Sequence, residues 1–395
     1  MKQLPLLLTS ALCAMPGFAN ESSPYDPAWA EAPVSRTISL IHDSALSDTE
    51  NGQIFKDSVQ ALQPGDRLVV GDGTWSVDSL FEVGLVGTEA APIRIEAAEG
   101  SAPILTRPDA NQNCINLGGP GSGPTRFLLI RGFEITGGSI GIRVQDCEDL
   151  WIDRCHVHHT GAVTLRASSD NTARLTITRN EFDHASTVSD TGEGLYLGAN
   201  FGAVVTHHTV VALNTVHDMY TDQGDGIELK QGSYACVVAE NVVYNTNFPG
   251  ITVYGTAGEE RNVVVGNTVW NANENAMQVQ GEAYVANNVA WGKGDKSAFV
   301  SFDHQDTAVE NEIVNNTFFT ETGTSLRVVN WANRPGMVLA NNALYSESGF
   351  ALFSSGGDLS GVDVSGNVVF GSVEDGGLGG HQQGTGLGDF VDVTW

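Results

Sequence analysis

The chain of 395 residues carries 47 acidic against 19 basic side chains, a formal net charge of −28. A surface that negative repels nucleic acid and anionic lipid, and it repels an anionic polysaccharide too unless a locally basic groove or a bound cation receives it. With 46 Gly and 17% charged residues, the composition is that of a β-rich globular protein and not of a disordered one.

Taken in chain order, residues 1–19 join Lys2, an apolar run from Leu4 to Met15 and a small-residue end at Gly17-Phe18-Ala19. They read as a secretory signal, so the mature protein is expected to be secreted or periplasmic. No later stretch approaches the 18 apolar residues that a membrane-spanning helix needs. Residues 20–54 form a polar leader. From Phe55 to Val70, FKDSVQALQPGDRLVV predicts a short amphipathic helix, a Pro-Gly turn and a strand, the helix serving to cap the open apolar end of a repeat array. Residues 55–370 are expected to form one domain, and the Gly-rich, acidic residues 371–395 a C-terminal cap or tail. Four cysteines remain after cleavage, with a single bridge from Cys147 to Cys155 or Cys114 set against four buried thiols.

The organising pattern is a repeat. Segments such as ITRNEF, VALNTV, VAENVV and VVGNTV share a β-rich stretch, a fixed slot and more apolar residues. The slot is Asn at 180, 214, 241, 267, 288, 316, 342 and 367, with Phe133 and Cys155 holding it upstream. A period of about 26 residues that tolerates length changes predicts a solenoid, and β-branched pairs with stacked amides specify an all-β, right-handed parallel β-helix.

A solenoid binds along a lateral face. Aligning GIRVQ, AVTLR, GLYLG, GIELK, GITVY and AMQVQ sends their aliphatic residues inward and two columns outward. The first column is Arg143, Thr164, Tyr196, Glu228, Thr252 and Gln278; the second is Gln145, Arg166, Gly198, Lys230, Tyr254 and Gln280. Glu193 and Asp225 lie just before their strands, so with Glu228 they supply oxygens suited to Ca²⁺. Elimination on a uronic acid needs a neutralised carboxylate, a base for the C5 proton and an acid for the leaving oxygen. Arg166 or Ca²⁺ suits the first task, Lys230 the second and Tyr254 the third, with Arg143, Tyr196, Thr252, Gln278 and Gln280 holding the sugar. The paired aspartates expected of a polygalacturonase are not evident on the strip, which ranks elimination above hydrolysis. Cys155, His156, His158 and His159 suggest a metal, but Cys155 takes an inward slot while His156 and His158 point out, which argues against zinc.

The run LQPGDRLVVGDGTWSVDSLFEVGLVGTEAAPIRIEA resembles the opening of the chondroitinase B and alginate lyase family of polysaccharide lyases. The resemblance covers about a third of the chain and implies a β-helix acting on acidic polysaccharide, with a catalytic Lys at Lys230 beside acidic Ca²⁺ ligands; Tyr254 stands where that family carries Arg. The segment DGIELKQGSYACVVAENVVYNTNFPGI is similar to the β-helical mannuronan epimerases, although Lys230 falls where their motif has His. The expected activity is lytic cleavage of an acidic polysaccharide by an exported monomer. Non-catalytic carbohydrate binding and uronan epimerisation are the alternatives.

Overall fold

The computed structural model describes residues 22–186, 191–355, 359–377, 379–386 and 389; the expected signal segment and the last residues of the tail lie outside them. Thirteen parallel strands, one per turn, form the first face of a solenoid, from Arg36–Leu40 through Val237–Ala239 to Asp363–Ser365. The chain then bends at the Asn slot into a second face, with strands such as His156–His158, Thr215–Met219 and Thr268–Trp270. A third face holds Leu195–Leu197, Ile227–Leu229, Ile251–Val253 and Met277–Val279. These two faces merge toward the C-terminus, where the long strand Ala343–Ser355 pairs with both. The first ladder strand, Arg36–Leu40, pairs with Asp66–Val70, so coiling begins inside the segment read as a leader.

The bend repeats because its chemistry repeats. The Cys155 amide donates to Asn180 Oδ1 at 2.9 Å. Asn180 donates through its backbone N and its Nδ2 to Asn214 Oδ1, both at 3.0 Å, and the relay continues to Asn342 and Asn367 at 2.9 Å. Each Asn Nδ2 also holds a strand carbonyl, as Asn241 does with Val211 O at 2.9 Å. The residue before the slot sits in the left-handed region at Arg179, Leu213, Glu240 and Asn287, with φ of 56°, 61°, 53° and 55°. That conformation costs a non-glycine residue about 1–2 kcal/mol, and the amide bonds to a buried Asn offset it. Phe133 holds the slot differently: it is buried under the capping helix, with its ring 5.9 Å from Phe55.

The helix is Asp48–Gln60. It begins earlier than the apolar pattern suggests because Ser47 and Glu50 form a reciprocal capping box. It packs so closely that a Cβ on Gly52 would stand 2.0 Å from Ser76 O. The four cysteines among the described residues are free and buried, with burial pushing each thiol up to about 12; they act as small core residues and form no bridge with one another.

Candidate active site

The third face carries the site because its outward residues fall in register. Tyr196, Glu228, Thr252 and Gln278 are successive ladder partners. One expected alignment is corrected: Leu165 pairs with Ile142 and Arg166 with Arg143, a shift of two residues. Arg166 therefore belongs to the column of Tyr196, while Thr164 is buried and donates its hydroxyl to Gly194 O.

Lys230 lies two residues beyond Glu228 on one side of the strand, and its Nζ pairs with Glu228 Oε1. The ammonium also sits 4.6 Å from the Tyr196 ring centroid and 5.5 Å from that of Tyr254. Gly198 makes this possible, because a Cβ there would lie 3.1 Å from Lys230 Cβ. Arg166 covers the Tyr196 ring at 5.1 Å from the preceding coil, so the tyrosine is gripped by a cation from either side.

A cavity of about 390 Å³ opens over this column, lined among others by Glu193, Asp225, Glu228, Lys230, Tyr254 and His304. Burial pushes Asp225 well above the usual carboxylate range, reinforced by Glu228. Burial likewise raises Glu193 to about 7, and its Oε2 has no hydrogen-bond partner. Glu228 is raised by burial in spite of Lys230. For Lys230, burial favours the neutral amine, but the Glu228 carboxylate outweighs it and the pKa stands above the ordinary lysine value. The lowering that a basic role for Lys230 requires is thus reversed.

Tyr254 and His304 form a pair of opposite character. Their ring centroids are 5.0 Å apart. Burial and the Glu228 and Asp225 charges hold the Tyr254 phenol far above its usual value, while burial and Lys230 lower the His304 imidazole. His304 is a cavity residue that the sequence reading passed over. It follows strand Phe299–Ser301, the next rung after Met277–Val279, but Gln278 pairs with Val300, so continuing the outward columns by one coil leads to Val300 and Phe302 and stops short of it. Its loop is fixed on several sides: Arg334 Nη2 donates to Asp303 Oδ2 at 2.8 Å, the Phe201 amide to Gln305 Oε1 at 2.7 Å, and Gln280 Nε2 to Asp306 O at 2.7 Å.

The remaining expected residues separate. Gln278 lines the cavity. Gln280 braces the histidine loop. Thr252 is buried and donates to Asp225 Oδ1 at 3.0 Å. Arg143 lies three rungs from Glu228 and donates to Ser169 Oγ at 2.8 Å. As a Ca²⁺ site the carboxyl trio fits poorly: Glu228 is ion-paired, Asp225 already accepts a hydroxyl, and the three are absent from the groups whose ligand atoms lie within 4.8 Å of one another among the described residues.

Residues 113–290 match the family model described as right handed beta helix region. A comparison with curated proteins gives no match. Among solved structures, the chain is similar to PfbA, a surface adhesin of Streptococcus pneumoniae, at 11% identity and TM-score 0.54, over 82% of this chain and 86% of that one. It is similar to DFA-IIIase from Arthrobacter chlorophenolicus A6 in complex with GF2 at 12% identity and TM-score 0.50, over 78% and 93%. It is also similar to an alginate lyase from Paenibacillus sp. str. FPU-7 at 14% identity and TM-score 0.47, over 85% and 99%. The chain is a right-handed parallel β-helix, the family's region being matched over residues 113–290 and the ladder running beyond it at both ends.

Proposed function

We propose that this protein is a polysaccharide lyase that cleaves a uronic-acid-containing chain in the cavity beside Tyr254. The observation that carries the reading is the Tyr254–His304 contact, where burial, reinforced by neighbouring charges, displaces a phenol upward and an imidazole downward. Such a divergence separates an acid from a base at one pH.

In this mechanism, neutral His304 takes the C5 proton, the C–H electrons form the C4–C5 double bond, and the C4–O glycosidic bond breaks. Tyr254 delivers its proton to the departing oxygen. Lys230, kept charged by Glu228, stabilises the negative charge that gathers on the uronate as C5 loses its proton. Burial raises the Glu193 and Asp225 carboxyls and so favours their protonated forms, which offer O–H donors in place of repelling charge. Arg166 holds Tyr196 in place next to Lys230.

A panel of uronans tests the reading through the ultraviolet absorbance of the unsaturated product. Tyr254→Phe and His304→Gln should each lower turnover about 10²-fold or more with little change in melting temperature. New reducing ends without absorbance would replace elimination with hydrolysis. That second reading draws on the unpaired carboxyl of Glu193. Saturable binding with neither signal would leave a carbohydrate-binding solenoid.

A further inference from the structure

The second face gathers His156, His158, His159, His184 and His217, five of the 10 histidines in the sequence. Ladder register is the cause. Within the strand His156–His158, Val157 points to the core and both histidines point out, and on the next coils His158 meets Asp183 and Asp183 meets His217. The buried Asp183 carboxylate is the hub: His156 Nε2 lies 2.5 Å from its Oδ2 and His184 Nδ1 2.5 Å from its Oδ1. Asp183 belongs to three groups whose ligand atoms lie within 4.8 Å of one another, with His156 and His158, with His159 and His184, and with Glu181 and His217.

The first group is more sheltered than the second, its histidines being half-buried where His159 and His184 are exposed, and it offers two imidazoles where the equally buried third group offers one. It also has the outer support a metal-bound imidazole needs. His158 Nε2 is 3.2 Å from Glu134 Oε1 on the preceding coil, which fixes the ring tautomer and leaves Nδ1 as the ligand atom. His158 Nδ1 faces His159 Nδ1 at 2.7 Å, a contact between two nitrogens that can share only one proton.

We propose that His156, His158 and Asp183 bind one divalent transition-metal ion of the zinc class, clipping two adjacent coils together on a face other than that of the cavity. Two imidazoles and one carboxylate suit such an ion and leave a position for water, whereas Ca²⁺ prefers an all-oxygen set. Bonds of about 2.0–2.1 Å to the metal ask His156 and Asp183 to part by less than about 1 Å from their present hydrogen bond. Rotation of the half-exposed His156 ring supplies that without moving the backbone.

The test uses the whole chain, free of any polyhistidine tag and stripped with a chelator. Calorimetry with Zn²⁺ should find one saturable ion per chain and the melting temperature should rise with Zn²⁺ concentration; Co²⁺ should give a visible ligand-field spectrum. His158→Ala and Asp183→Asn should each weaken Zn²⁺ binding about 100-fold or more. His158→Ala, a change at a partly exposed position, keeps the test decisive if Asp183→Asn disturbs folding. Equal Zn²⁺ affinity in the wild type and His158→Ala, or no saturable uptake, overturns the proposal.

Discussion

At the scale of single residues, the molecule depends on groups whose partners are predetermined by stacking. Asn241 accepts from the backbone N and Nδ2 of Asn214 and donates to Val211 O and Asn267 Oδ1. Asn241→Ala strands those partners in a buried site and should cost about 1–3 kcal/mol, read from denaturant melts; an unchanged midpoint would remove the ladder from the account of stability. Glu193 gives a pH signature. Its folded pKa of about 7 lies above the ordinary 4.5, so the native state holds a proton that the unfolded state has released. Stability is therefore full below the lower value and falls as pH climbs through the upper one. Glu193→Gln should flatten that decline, and an identical slope in the variant would refute the assignment. Residue identity was easier to read than residue charge: Lys230, Glu228 and Tyr254 were legible on one strip, but the sign of the Lys230 shift depends on how deeply Glu228 is buried beside it, which no spacing reveals.

Elements differ in how plainly they announce themselves. The Asn slots marked the bend from the first face to the second in eight coils, since one residue type recurs at one structural position. The capping helix was legible in place but not in extent, because its N-terminus is specified by Ser47 and Glu50 and not by apolar periodicity. The histidine loop after Phe299–Ser301 was not legible, because its geometry is imposed by Arg334, Phe201 and Gln280, none of them near it in sequence. Gly52→Ala tests the helix: the added methyl meets Ser76 O at 2.0 Å, and the loss of close packing over Trp75 and Phe81 should cost about 1–3 kcal/mol. A variant as stable as the wild type would mean that the helix contributes little as a cap.

On the scale of the whole molecule, charge and site pull in opposite directions. The net charge of −28 opposes the approach of a polyanion, while the cavity is read as receiving one. Raising ionic strength from about 0.01 M to 0.15 M shortens the Debye length from about 30 Å to 8 Å, screening the distant surface more than the contacts at Lys230. For a uronan substrate, kcat/KM should rise over that range; a monotonic fall would point to a substrate drawn in by attraction, or to a neutral one. Among the described residues no helix is long and apolar enough to cross a membrane.

The amide ladder also separates two kinds of length. The 34 residues from Asn180 to Asn214 and the 21 from Asn267 to Asn288 raise the axis by the same rung of about 4.8 Å. Height counts coils, and surplus residues can only go sideways. The sequence can therefore thicken or thin the walls around the cavity, as the segment carrying Asn200 and Phe201 does, without altering the vertical interval between Lys230 and Tyr254. Insertions become a means of recontouring the rim while the groups lining the cavity keep their spacing.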